Sequence, residues 1–166
     1  MSILFYILLS ILYPFELSFD EHSIEVFHDS EVLQHPFSGG LNKPKIQWID
    51  WDNDNDDDLF ILDQDGYLRY MENISIASEF NFILKKTNMF EIYIGGWFYI
   101  ADFDGDDDLD LITQNQTHLQ QASYYANNSG LMSYLGSLSI ISDPVMTPTF
   151  ADIDNDGDLD FFTGNY

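Results

Sequence analysis

Apolar residues in this chain gather in short runs separated by polar turns, and no window carries a 3.6-residue apolar period with helix caps. The runs at 46–49, 59–62, 67–71, 80–84, 90–94, 97–101, 109–113, 119–125, 138–141, 148–151 and 161–163 are rich in β-branched and aromatic residues. Such runs, bounded by Asp, Asn and Gly, predict strands. Asp63-Gln-Asp-Gly66 has turn chemistry, so the runs on either side of it predict a hairpin. The expected class is all-β, with about four short strands per unit of roughly 50 residues, the size of a propeller blade.

The period is carried by three aspartate-rich segments, 50–58, 102–110 and 152–160, which align without gaps. Each follows an aromatic-rich extended stretch and precedes an apolar run. Asp occupies positions 1, 3, 5, 7 and 9 of every segment. These are Asp50, Asp52, Asp54, Asp56 and Asp58 in the first. The second has Asp102, Asp104, Asp106, Asp108 and Asp110, and the third Asp152, Asp154, Asp156, Asp158 and Asp160. Carboxylates packed this densely repel one another unless a cation neutralises them. Ca²⁺ takes about six to eight oxygens, and a tight loop supplies them by turning alternate side chains inward. Side-chain ligation is expected at positions 1, 3, 5 and 9, and ligation through the backbone carbonyl at position 7. Position 6 needs positive φ: Gly157 suits it, Asn55 tolerates it, and Asp107 is expected to strain the second loop. An EF-hand would need a bidentate Glu at position 12, where this chain has Ile61, Thr113 and Thr163. Mg²⁺ keeps more water and fewer carboxylates, so calcium is the expected ion.

At these residues the sequence resembles the FG-GAP/VCBS repeat family, integrin-α-like β-propeller blades with D-x-D-x-D-G-x-x-D calcium loops. The third loop matches that pattern throughout, while Asn55 and Asp107 stand where the family prefers Gly. The Phe-Gly and Gly-Ala-Pro elements are not visible, which places the likeness with the bacterial secreted branch, and Ser38 to Pro44 resembles the lead-in of its repeats. The resemblance covers roughly residues 36–166 and implies a calcium-stabilised propeller used outside cells for adhesion or ligand binding. It names no ligand, and a protein or a carbohydrate would both fit. Two whole units and a partial third are visible, fewer than the four or so blades of a closed propeller, so a fragment of a larger propeller is expected.

The chain has 166 residues, with 5 Lys plus Arg against 29 Asp plus Glu and a net charge of −24. That balance repels phosphate backbones and anionic lipid, which argues against nucleic acid as a partner. Its 16% aromatic content separates it from a disordered acidic tail. With no cysteine there is no disulfide framework and no thiolate chemistry. Residues 3–12 are almost wholly apolar, the length of a signal-peptide core and short for a membrane span. The reading is a signal peptide over 1–18, a repeat region over 19–166, and a secreted or cell-surface location without a membrane span after cleavage. The alternative for this segment is a buried first strand or helix.

No nucleophile–His–Asp arrangement is visible, and His22, His28, His35 and His118 have no metal-ligand spacing. The expected function is therefore a non-enzymatic calcium-binding extracellular module for adhesion or ligand binding. The alternative is an accessory propeller region of a larger secreted enzyme such as a polysaccharide hydrolase. Trp48, Trp51, Trp97, Tyr124 and Tyr125 would either line a binding surface or pack between blades. Asn73, Asn115 and Asn127 each open an N-x-[ST] sequon, which chance occurrence explains.

Overall fold

The structure is a computed structural model that describes residues 25–33, 39–76, 80–138 and 148–164. The leader expected over residues 1–18 lies outside the described residues, as do His22 and His35. The chain divides into two units, Met1–Gly39 and Gly40–Tyr166. The described part of the first holds a small antiparallel hairpin, β1 (Phe27–His28) and β2 (Glu31–Val32). Its two-residue turn, Asp29-Ser30, has positive φ at both positions (49° and 73°), the turn that matches strand twist.

The second unit is all-β. One four-stranded antiparallel sheet runs in the order β3 (Lys45–Ile49), β4 (Asp58–Leu62), β5 (Leu68–Asn73), β6 (Phe82–Lys86). The next repeats it with β7 (Phe98–Ala101), β8 (Asp110–Gln114), β9 (Ala122–Asn128) and β10 (Leu131–Leu138). A third begins with the pair β11 (Thr149–Ala151) and β12 (Asp160–Phe162). These are two blades and the opening hairpin of another, as the 50-residue period predicts.

The second strand of each full blade is covered on both faces. β8 is buried at all five positions, and β4 at all but Leu59, which is half-buried. That explains why their sequences read as continuous apolar runs and do not alternate. One core packs Phe60, Leu62, Leu68 and Tyr70 of the first blade against Phe98, Ile100 and Leu111 of the second. A second core sets Trp97, Ile112 and Ala122 against Phe150. Each fully buried Ile, Leu or Phe contributes about 1.5–3 kcal/mol relative to exposure. Polar clamps join the same neighbours. The Gln47 amide both accepts from the Ile100 N–H and donates to its carbonyl, and the Tyr99 hydroxyl donates to the Phe150 carbonyl at 3.2 Å.

Three strand assignments shift. Residues 90–94 form no strand: they are the crossover between blades, where Phe90 packs on Trp51 and Phe60, Ile94 is buried, and Glu91 turns at φ 56°. Residues 119–121 are turn, because Asn115 caps the backbone of Thr117 and His118 and delays β9 to Ala122. The last strand of the second blade is β10, which ends at Leu138. The Ser129-Gly130 turn (φ 54° and 92°) starts it earlier than an apolar pattern alone shows. The rest of the run expected at 138–141 lies outside the described residues.

Candidate metal loops and their carboxylate clamps

All three aspartate loops occupy the same place, the connection between the first and second strands of a blade. The register is the same each time, pairing Ile49 with Asp58, Ala101 with Asp110 and Ala151 with Asp160. Within the loop, the position-1 carboxylate gathers backbone donors. Asp50 accepts from the N–H groups of Asp54 and Asn55, both at 3.1 Å. Asp102 accepts from Gly105 (2.7 Å), Asp106 (3.3 Å) and Asp107 (3.0 Å), and Asp152 from Asn155, Asp156 and Gly157 at 2.7–3.2 Å. The position-5 carboxylates, Asp54, Asp106 and Asp156, each accept from the N–H of position 7 at 2.9–3.1 Å.

Two residues per loop are left-handed, where the sequence pointed to one. Position 6 has φ 73° at Asn55, 69° at Asp107 and 96° at Gly157. Position 4 has φ 60° at Asn53, 78° at Gly105 and 60° at Asn155. Position 4 holds only Asn or Gly, the residues that accept this conformation at least cost, a signal present in the sequence. Asp107 adopts the conformation in which strain was expected.

Carboxylate oxygens of Asp50, Asp52 and Asp54 converge to within 4.8 Å of one another, as do those of Asp102, Asp104 and Asp110, and of Asp152, Asp154 and Asp160. Positions 1 and 3 thus meet in every loop, joined by position 5 in the first and by position 9 in the others. The position-7 side chains of Asp56, Asp108 and Asp158 belong to none of these groups. Asp108 accepts from the Ser129 N–H at 3.0 Å. One oxygen of Asp56, Oδ1, is shielded from solvent with no hydrogen-bond partner. Among the described residues no histidine joins an acidic group: His28 sits beside Asp29 and His118 beside Thr117.

Burial and the neighbouring charges act together on these carboxyls. Desolvation, and then the charges of Asp54 and Asp58, hold the carboxyl of Asp52 above its ordinary range. Desolvation and the surrounding aspartates do the same to Asp56 and Asp104. A donor set made only of hard oxygens, charged against its neighbours, with one shielded oxygen left unpaired, fits a divalent hard cation.

Position 9 has a second role that the spacing alone did not disclose. Asp58 and Asp110 are buried. Oδ2 of each accepts from the N–H of position 2 (Trp51 at 3.2 Å, Phe103 at 3.1 Å) and from a tyrosine hydroxyl (Tyr70 at 3.1 Å, Tyr124 at 2.8 Å). Oδ1 of each accepts from a third-strand N–H, Asn73 or Asn127, at 2.8 Å. The same asparagines donate through Nδ2 to the position-8 carbonyls of Asp57 and Leu109. Burial and these carboxylates push the hydroxyls of Tyr70 and Tyr124 well above the usual phenol range. In the third loop Asp160 accepts from the Ile153 N–H at 3.1 Å. The signal was legible as a Tyr-x-x-Asn repeat, Tyr70 to Asn73 and Tyr124 to Asn127.

The sequon asparagines are thereby accounted for. Asn73 and Asn127 carry the clamp, and buried Asn115 donates to the hydroxyls of Ser123 and Ser137. Trp51, Trp97, Tyr124 and Tyr125 pack within or between blades, whereas Trp48 is half exposed.

Four-stranded antiparallel blades, each opening on an aspartate hairpin loop, define a repeat module. Residues 102–163, from the second loop to the end of the third hairpin, match the family model described as FG-GAP-like repeat. This stretch is an FG-GAP-like repeat, and the loop at 50–58 reproduces its hairpin one blade earlier. No curated protein and no solved structure matched the chain.

Proposed function

We propose that the three loops bind Ca²⁺ and that the metal stiffens one rim of a non-catalytic, extracellular binding module. The observation that carries this reading is the convergence of carboxylate oxygens in all three loops, with the unpaired Oδ1 of Asp56 beside the first. Asp50, Asp52 and Asp54 would hold the ion in the first loop, Asp102, Asp104 and Asp110 in the second, and Asp152, Asp154 and Asp160 in the third. The bound ion supplies positive charge that cancels the repulsion among these groups. The chain supplies the cage. Positive φ at positions 4 and 6 folds the loop back, the position-1 carboxylate ties down its backbone, and the position-9 carboxylate anchors it to the second and third strands. Carboxylates held ionised by a cation suit a ligand set and not a proton donor, which supports binding over catalysis. Loops of modest affinity fill in the millimolar calcium outside cells, which supports a secreted or surface location.

Melting in EDTA, in CaCl₂ and in MgCl₂ tests this. Calcium binding to the folded state alone stabilises by about 2.7 kcal/mol per site at a hundredfold excess over Kd. A clear rise with calcium that magnesium does not match is expected. An unchanged melting temperature in millimolar calcium would overturn the proposal.

A further inference from the structure

At the end of the blades away from the aspartate loops, the first two sheets enclose an open cleft of about 390 Å³. That is within the size range of small-ligand sites, roughly 300–1,000 Å³. Lys43 and Lys45 line one side, and Tyr93, Gly95, Gly96 and Gln116 the other. Lys45 shares the alternating face of β3 with Gln47 and Ile49, the face that packs toward the second blade. Lys45 is half-buried in the cleft wall, and burial lowers its pKa.

These two lysines are the cations of the cleft. The chain has five Lys and Arg in all. Arg69 pairs with Asp65 and Lys85 with Glu72, whereas Lys43, Lys45 and the exposed Lys86 have no side-chain hydrogen bond or ion pair among the described residues. The one carboxylate in the cleft wall, Asp63, is held ionised by the N–H groups of Asn42 and Lys43 at 2.7–3.1 Å and forms no ion pair with either ammonium of the cleft. The half-buried Lys45 ammonium, with no ion pair of its own, favours an anion beside it. The loop aspartates do not supply one. Asp50 lies the length of β3 away, about 17 Å at 3.4 Å per residue, roughly two screening lengths at physiological salt.

The cleft carries one aromatic ring. Tyr93 is 56% exposed and lies so close over Gly66 that a Cβ there would fall 2.3 Å from its ring. Tyr67 braces it edge-on at 6.2 Å, and Gln116 holds its carbonyl at 3.2 Å. An exposed amphipathic ring and two ammonium groups lining one cleft match a small ligand with a carboxylate and an apolar C–H face.

We propose that this cleft binds an acidic sugar of the uronic acid type, its carboxylate taken by Lys43 and Lys45 and its ring set against Tyr93. The inference gives a ligand to the binding role proposed above and does not depend on the metal. The test is an amide chemical-shift titration of the whole chain with glucuronate, glucose and inorganic phosphate, run with and without calcium. Glucuronate is expected to shift Gly66, Gly95 and Gly96 saturably, and glucose and phosphate at least tenfold more weakly. Lys45→Gln and Tyr93→Leu should each weaken glucuronate about tenfold at unchanged melting temperature, while Lys86→Gln leaves it unchanged. Phosphate binding as well as glucuronate, shifts confined to the aspartate loops, or full binding by Lys45→Gln would overturn the proposal. Failure of the calcium reading would show separately, as an absent calcium shift in melting with the cleft titration intact.

Discussion

Replacing Tyr124 by Phe tests the carboxylate clamp with little change of volume. The substitution deletes one hydroxyl, which donates to Oδ2 of the buried Asp110 at 2.8 Å. Hydrogen bonds to charged groups contribute about 1.5–3 kcal/mol net. Oδ2 keeps the Phe103 N–H and Oδ1 the Asn127 N–H, so the carboxylate is not orphaned and the loss falls at the lower end, about 1.5–2 kcal/mol. For a chain of this size that corresponds to a drop of about 3–8 °C in Tm. The assay is thermal and urea unfolding in EDTA, repeated in an Asp110→Asn background. Because the hydroxyl acts through the Asp110 charge, its removal should cost well under half as much there. Calcium affinity should fall with the same substitution, since Asp110 loses the group that orients it. A Tyr124→Phe protein within about 0.5 kcal/mol of the parent, or an equal loss in both backgrounds, would refute the clamp.

Three further outcomes are expected. Asp52, Asp56 and Asp104 have raised pKa values in the fold, so their contribution to apo stability is present below the ordinary value of 3.8 and is lost as pH rises through the raised values. Calcium holds them ionised, so the calcium-induced rise in Tm should shrink steadily from about pH 7 to about pH 4.5, as calorimetry would show; a constant increment would contradict the assignment. Gly66→Ala puts a Cβ 2.3 Å from the Tyr93 ring and 2.9 Å from the Ile94 carbonyl at φ 77° and should lower stability by about 2–4 kcal/mol, read from the urea midpoint. Asp107→Gly relieves a non-glycine left-handed residue and should raise apo stability by about 0.5–1 kcal/mol, whereas Gly157→Asp should lower it by a similar amount.

The blades were legible because their signals are local and repeated. The period of aspartate loops, the apolar runs beside them and the Asp63–Gly66 turn each report a short stretch of chain, and each falls where the hairpins form. What the sequence hid was set by tertiary contact. Residues 90–94 carry strand-like composition, yet the crossover spends Phe90 and Ile94 on the interblade core and leaves their backbone outside any sheet. The loops were readable as alternating carboxylates, but position 9 looked like one more ligand. Its burial under a tyrosine and a third-strand amide becomes visible only when the second and third strands lie side by side. Lys43 and Lys45 belong to no motif in the sequence, because their surroundings come from residues 63–66 and 93–116.

The clamp also decides what can be transplanted. A loop cut at Asp102 and Asp110 would carry its carboxylates into another hairpin but leave behind Tyr124 and Asn127, which fix the last of them. The smallest portable unit is therefore the three-strand stretch 98–128, which keeps both ends of that connection. A designer moving this loop between scaffolds has to move the third strand with it.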